Sequence, residues 1–158
     1  MDEFTPEQQT SFDVEINRLR DRLSLRKAVM ALPTLKQRDD AIRRLRLNEW
    51  ALAGDWTTED EASTLNTAGG QIAYRFQARD LNLVAGPAAA GTSVRFQVLL
   101  DGEPPGPAHG ADVDDQGRGT ITEPRLYQLI RQPGPVTERT FQITFAGPGA
   151  ETYSFTFG

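Results

Sequence analysis

From Gln71 to Gln77 the chain alternates strictly, with Ile72, Tyr74 and Phe76 on one parity and Ala73, Arg75 and Gln77 on the other. Successive side chains of a strand point to opposite faces, so a period of two marks a strand with one face in a core. Arg79-Asp80 interrupts the run, and Leu81, Leu83 and Val84 resume it. The segment therefore reads as two strands around a tight turn.

The same grammar recurs to the end of the chain. Trp50-Ala-Leu-Ala-Gly-Asp-Trp56 reads as a strand, a Gly-Asp turn and a second large anchor. Val94, Phe96, Val98 and Leu100 alternate with Arg95, Gln97 and Leu99, and Asp101-Gly102 closes that run with a dipeptide favoured in tight hairpin turns. Pro104-Pro105-Gly106-Pro107 cannot donate ladder hydrogen bonds and belongs to a loop or sheet edge. Thr120–Thr122 is a short strand, and Arg125-Leu-Tyr-Gln-Leu-Ile130 a strand or edge segment. Phe141, Ile143 and Phe145 form one more alternating set, as do Tyr153, Phe155 and Phe157 with Thr152, Ser154 and Thr156 between them. Roughly eight short strands with no helix among them predict an antiparallel β-sandwich or jelly roll over residues 47–158.

Residues 1–46 follow a different rule. Thr5-Pro6-Glu7-Gln8 is a helix start with a capping box, and Phe12, Ile16, Leu19 and Leu23 follow at 4-3-4 spacing. Arg26 interrupts this stripe, Met30 resumes it, and Leu32-Pro33 ends the helix. Thr34-Leu35-Lys36-Gln37 opens a second, shorter helix carrying Leu35, Ala41, Ile42 and Leu45. The expected fold class is thus mainly β, a sandwich preceded by an N-terminal α-helical hairpin. The Phe12–Leu23 stripe either packs on the second helix or makes residues 5–46 a homo-oligomer contact. We read Arg43-Arg44-Leu45-Arg46 as the solvated face of an amphipathic helix.

Composition excludes several functions. There is no cysteine, hence no disulfide, no Cys-x-x-Cys redox pair, no thiolate nucleophile and no thiolate zinc site. The one histidine, His109, excludes a His-rich metal site. Residues 1–46 carry ten Lys/Arg against eight Asp/Glu, and residues 47–158 carry seven against fourteen, so the β region holds a charge of -7 within a total of -5. Such an acidic domain is a poor nucleic-acid binder, because phosphate contacts need clustered Lys and Arg. No apolar run approaches the ~20 residues of a membrane helix. The first residues, Met-Asp-Glu-Phe-Thr-Pro, do not read as a secretion signal, which points to the cytoplasm if this is the native start.

Five stretches taken together resemble a known family: Leu47-Asn-Glu-Trp-Ala-Leu-Ala-Gly-Asp-Trp56, Ile72-Ala-Tyr-Arg-Phe-Gln-Ala-Arg-Asp-Leu-Asn-Leu-Val84, Val98-Leu-Leu-Asp-Gly-Glu-Pro-Pro-Gly106, Glu123-Pro-Arg-Leu-Tyr-Gln-Leu-Ile130 and Tyr153-Ser-Phe-Thr-Phe-Gly158. In order over about residues 45–158, they resemble the C-terminal domain of DipZ-type thioredoxin-like proteins of cytochrome c biogenesis. The resemblance implies a sandwich like a carbohydrate-binding module, standing behind a thioredoxin domain in an extracytoplasmic setting. It carries over no catalytic residue, because the redox chemistry of that family belongs to a Cys-x-x-Cys that this chain lacks.

A sugar site needs flat rings beside planar hydrogen-bonding groups. Trp50, Trp56, Tyr74, Tyr127 and Arg125 are the available types; Trp50, Trp56 and Tyr74 read first as core anchors. Arg125 and Tyr127 have the better claim, since same-face spacing sets a guanidinium beside a ring. His109 lies in a loop, where binding residues concentrate. The candidate ligand-binding residues are therefore Arg125, Tyr127, His109 and Trp56. Asp112, Asp114 and Asp115 lack EF-hand spacing and read as an acidic turn rather than a calcium loop. The expectation is a non-enzymatic accessory module without cofactor, binding a carbohydrate or a protein partner. The alternative is a structural protein with a self-associating leader and a rigid β head.

Overall fold

The computed structural model describes residues 17–18, 29–30 and 35–158. In chain order these form β1 (Asn17–Arg18), β2 (Val29–Met30), α1 (Leu35–Arg43), β3 (Glu49–Ala53), β4 (Trp56–Thr58), β5 (Ser63–Leu65), β6 (Gln71–Phe76), β7 (Asp80–Pro87), β8 (Val94–Leu100), a 3-10 turn (Gly106–Ala108), β9 (Arg118–Ile121), β10 (Arg125–Arg131), β11 (Arg139–Phe145) and β12 (Ala150–Phe157). They build two sheets. One runs β1-β3-β6-β11-β8-β9, with β2 also paired to β3, and the other runs β10-β7-β12-β5-β4. All pairings are antiparallel except that of β2 with β3.

The alternation in the sequence is the cause of the layering. Ile72, Tyr74 and Phe76 of β6, Val94, Phe96, Val98 and Leu100 of β8, and Phe141, Ile143 and Phe145 of β11 are all buried. Across the gap they meet Leu81, Leu83, Tyr127, Ile130 and Phe155 of the second sheet. Edge-to-face ring pairs tie the layers together, Tyr74 to Phe155 at 5.2 Å and Phe141 to Phe155 at 5.8 Å between centroids. Each such pair adds roughly 0.5–1.5 kcal/mol beyond area burial.

Three expectations are corrected. The Arg79-Asp80 break is not a hairpin turn: β6 pairs with β3 and β11, whereas β7 pairs with β10 and β12. The chain crosses from one sheet to the other there, because both strands find partners far along the sequence. The alternation of β12 is also broken. Thr152 faces Ala85 and Ser154 faces Val84, so Tyr153 is an extra residue in a bulge. Thr152, expected outside, is buried and donates to the Ser63 carbonyl at 3.1 Å.

The third correction concerns the helical hairpin. Asn17, Arg18, Val29 and Met30, placed by the sequence reading in one long helix, are strand residues paired to β3. The free edge of β3 exposes N–H and C=O groups that need partners, and short strands supply them. The Thr5 cap and the Phe12–Leu23 stripe lie outside the described residues. The second helix is present as α1, and Ile42 and Leu45 are buried in the same cluster as the sandwich core.

Candidate binding face

The guanidinium carbon of Arg125 sits 3.9 Å from the centroid of the Tyr127 ring, as i, i+2 spacing on one strand face implies. In this pair the ring lies in the core and the guanidinium is exposed above it. Tyr127 is 1% exposed, and its hydroxyl accepts from the backbone N–H of Thr122 and Glu123 while donating to the Glu123 carbonyl at 2.6 Å. The phenol thus ties down the turn between β9 and β10. Arg125 is held in turn by Asp112 at 2.9 Å. The Asp112 carboxylate also accepts the Gln128 N–H at 2.7 Å, which fastens the 109–113 loop to the free edge of β10. Burial alone would raise the Asp112 pKa, but the hydrogen bonds from Arg125 and Gln128, with the Arg125 charge, lower it overall.

The remaining sequence candidates are dispersed. Trp56 is 1% exposed, donates from Nε1 to the Ala53 carbonyl at 2.9 Å, and packs edge-on against Phe145. Its strand, β4, is the edge of the second sheet opposite β10. His109 is exposed, with Nδ1 2.8 Å from the Gly110 carbonyl. So the structure gathers Arg125, Tyr127 and the His109 loop along β10, leaves Trp56 across the sheet, and shows no aromatic ring of this set face-on to solvent. Asp114, raised as a calcium candidate, accepts the backbone N–H of Gln116 and Arg118 and shapes the turn before β9. Among the described residues no group of three or more His, Cys, Asp or Glu is placed to hold a metal ion.

The open face lies elsewhere, on the outer side of the first sheet. Register aligns Arg118, Gln97, Thr144 and Gln71 in one row across β9, β8, β11 and β6. The neighbouring row sets Thr120 beside Arg95, whose carbonyl accepts the Ala146 N–H. Together Arg95, Gln97, Arg118, Thr120, Thr144 and Ala146 line a cavity of about 380 Å³ floored by Phe96 and Gly119. Gly119 is structurally required there, since a Cβ would stand 2.5 Å from the Phe96 ring. A second cleft, between α1 and the sheet, includes Arg43, Arg75 and Asp101. Three of its four charged residues are ion-paired, Arg43 with Asp40, Arg75 with Glu138 and Asp101 with Arg139; the fourth is Asp39.

Nothing local in the sequence singles out the residues of the first cleft. Arg95 and Gln97 stood out only as the polar parity of a strand, and nothing short of the β8–β9 register sets Arg118 and Thr120 beside them.

The model of one family, the thioredoxin-like C-terminal domain, matches residues 30–158. The chain belongs to that family. The match reaches back past α1, so the helix packed on the sandwich lies inside the family's bounds. No curated protein matches the chain in sequence. Among solved structures, a family two carbohydrate esterase from Cellvibrio japonicus is similar with a TM-score of 0.50 at 13% identity, covering 67% of this chain and 29% of the esterase chain. A family two carbohydrate esterase from Clostridium thermocellum, in complex with cellohexaose, gives a TM-score of 0.48 at 13% identity over 69% of this chain and 31% of that one. The chain therefore spans less than a third of either esterase, and the first likeness is one of fold. Among the described residues no helix is long and apolar enough to cross a membrane.

Proposed function

We propose that this chain is a non-catalytic accessory module of a DipZ-type thiol–disulfide system, working outside the cytoplasm, and that it binds carbohydrate on the outer face of the seven-stranded sheet. The observation that carries this reading is the cleft over β8, β9 and β11. Two guanidinium groups, an amide and two threonine hydroxyls converge there on a rigid, strand-built surface. Planar donors and hydroxyl groups on a fixed sheet suit the vicinal hydroxyls of a sugar, which offer paired donors and acceptors at fixed spacing. The family membership supports the accessory role, and the lack of cysteine assigns any thiol exchange to another part of the system. The carboxylates that could serve acid–base chemistry on the β10 edge instead hold structure, Asp112 through Arg125 and Gln128, and Asp114 through its turn.

Affinity electrophoresis through gels containing soluble polysaccharides tests the reading. Retarded migration that is lost in the double variant Gln97→Ala, Thr144→Ala supports it. Unretarded migration in every polysaccharide, or retardation indifferent to the double variant, overturns it.

A further inference from the structure

Residues 47–158 contain seven arginines and no lysine, set among fourteen carboxylates. Five of the seven are ion-paired: Arg75, Arg79, Arg125, Arg131 and Arg139. Arg95 and Arg118 are the two that make no ion pair among the described residues, and both line the same cleft. No Asp or Glu lines that cleft with them. Of the two acids just before it, Asp114 spends its carboxylate on the backbone N–H of Gln116 and Arg118, and neither Asp114 nor Asp115 makes an ion pair with the Arg118 side chain. In a domain with a twofold excess of acids, leaving two exposed guanidiniums unpaired on adjacent strands is a deliberate local reversal of charge.

We infer that the cleft takes an acidic glycan, a chain of uronic-acid units whose carboxylate is held by Arg95 and Arg118; this rests on the glycan-binding reading above. Arg95 faces Thr120 and Gln97 faces Arg118 across the β8–β9 ladder, so the two arginines are diagonal neighbours on one face. Diagonal neighbours stand about 7–8 Å apart, within reach of one ligand group for side chains of this length. Guanidinium matches carboxylate in a planar, two-point geometry that a lysine cannot reproduce. Thr120, Thr144 and Gln97 then meet the hydroxyls flanking that carboxylate. A cavity of about 380 Å³ lies at the small end of ligand clefts, roughly 300–1,000 Å³, and suits one or two sugar units of a longer chain.

Calorimetric titration with tetragalacturonate, its fully methyl-esterified form and polyglutamate decides the matter on the full chain. The acid should bind, the ester should bind at least tenfold more weakly, and affinity should fall with added salt. Arg95→Gln and Arg118→Gln should each weaken binding roughly tenfold or more, with melting temperature unchanged because neither group is ion-paired. Equal binding of acid and ester, unmoved by either variant, overturns the acidic-glycan inference while leaving carbohydrate binding intact. Polyglutamate binding as tightly as the uronate overturns the sugar assignment. Absence of binding to both sugar forms and, in parallel, to a neutral β-glucan overturns this inference and the glycan-binding reading together.

Discussion

Arg125 and Tyr127 form one stacked unit at the end of β10, guanidinium over ring at 3.9 Å, with the ring buried and the cation on the solvent side. The arginine is the lid of the core at this corner, and the tyrosine is its bolt. The two residues that best fitted a sugar platform in sequence thus hold the 109–113 loop, the β9–β10 turn and the edge of the second sheet in place.

Tyr127→Phe should lower stability by about 1–3 kcal/mol, because two backbone N–H groups and one carbonyl lose their common partner in a half-buried turn. Arg125→Met keeps the cover but loses the cation–π contact and a partly exposed ion pair, about 1 kcal/mol in all. Urea unfolding reads both. Glycan binding should be unchanged in either variant, and a selective loss of binding with stability intact would return the β10 edge to candidacy.

Asp112 sets the acid response of the same corner. Its folded pKa lies below that of an unfolded carboxylate, because the Arg125 and Gln128 hydrogen bonds outweigh burial. A depressed carboxylate contributes its full stability above the unfolded pKa and loses it as pH falls through the folded one. Wild type should therefore lose stability from the ordinary carboxylate range, near pH ~4, downward. Asp112→Asn should be less stable at neutral pH yet shallower in this interval. Urea midpoints measured from pH 7 to pH 2.5 check it, and parallel curves for the two proteins would assign the acid response elsewhere.

The fold was legible where a side chain's neighbours are set by its own strand. Ile72, Tyr74 and Phe76 announce a buried face by alternation alone, and Asp101-Gly102, with φ of 53° and 84°, is a turn that its residue types already specify. What sequence could not show is which strands meet. A short break such as Arg79-Asp80 is compatible with a hairpin or with a crossover, and only the distant partners Phe141 and Phe155 decide between them. The cleft was hidden for the same reason. Arg95 and Arg118 lie far apart along the chain and become neighbours through register, while a polar residue on an alternating strand looks the same whether it faces water or a ligand. Asn17 and Val29 failed differently: a sparse apolar stripe fits a helix, but the unpaired edge of β3 outweighs that weak local preference.

Gly117 should be irreplaceable, and the reason lies in the approach to the cleft. It has φ of +82°, and a Cβ there would fall 2.1 Å from the Val98 carbonyl oxygen. Gly117→Ala must both strain its backbone and push β8 away, at a cost of about 3 kcal/mol or more. Because Arg118 follows directly, glycan affinity should fall as well. Gly134→Ala is the control: its φ is +73° but nothing lies within 4 Å, so it should cost only about 1 kcal/mol. Equal effects of the two substitutions in chemical denaturation would refute the packing argument.

Tyr74 offers a gain rather than a loss. It is fully buried on β6 between Phe155 and Phe157, and its hydroxyl has no hydrogen-bond partner among the described residues. Burial pushes the phenol pKa above its ordinary value, because desolvation disfavours the charged form. A buried hydroxyl without a partner carries a desolvation penalty of about 1–3 kcal/mol, whereas the ring itself packs edge-on against its neighbours. Tyr74→Phe keeps the ring and removes the penalty, so it should raise stability by about 1 kcal/mol and leave ligand binding unchanged. The urea midpoint should rise with no change in slope, since the area exposed on unfolding is nearly the same. A loss of stability in Tyr74→Phe would mean that the hydroxyl is satisfied in solution, by a water buried between the sheets, and would place a hydrated polar site beside the Trp50 Nε1, a neighbouring buried donor with no partner among the described residues.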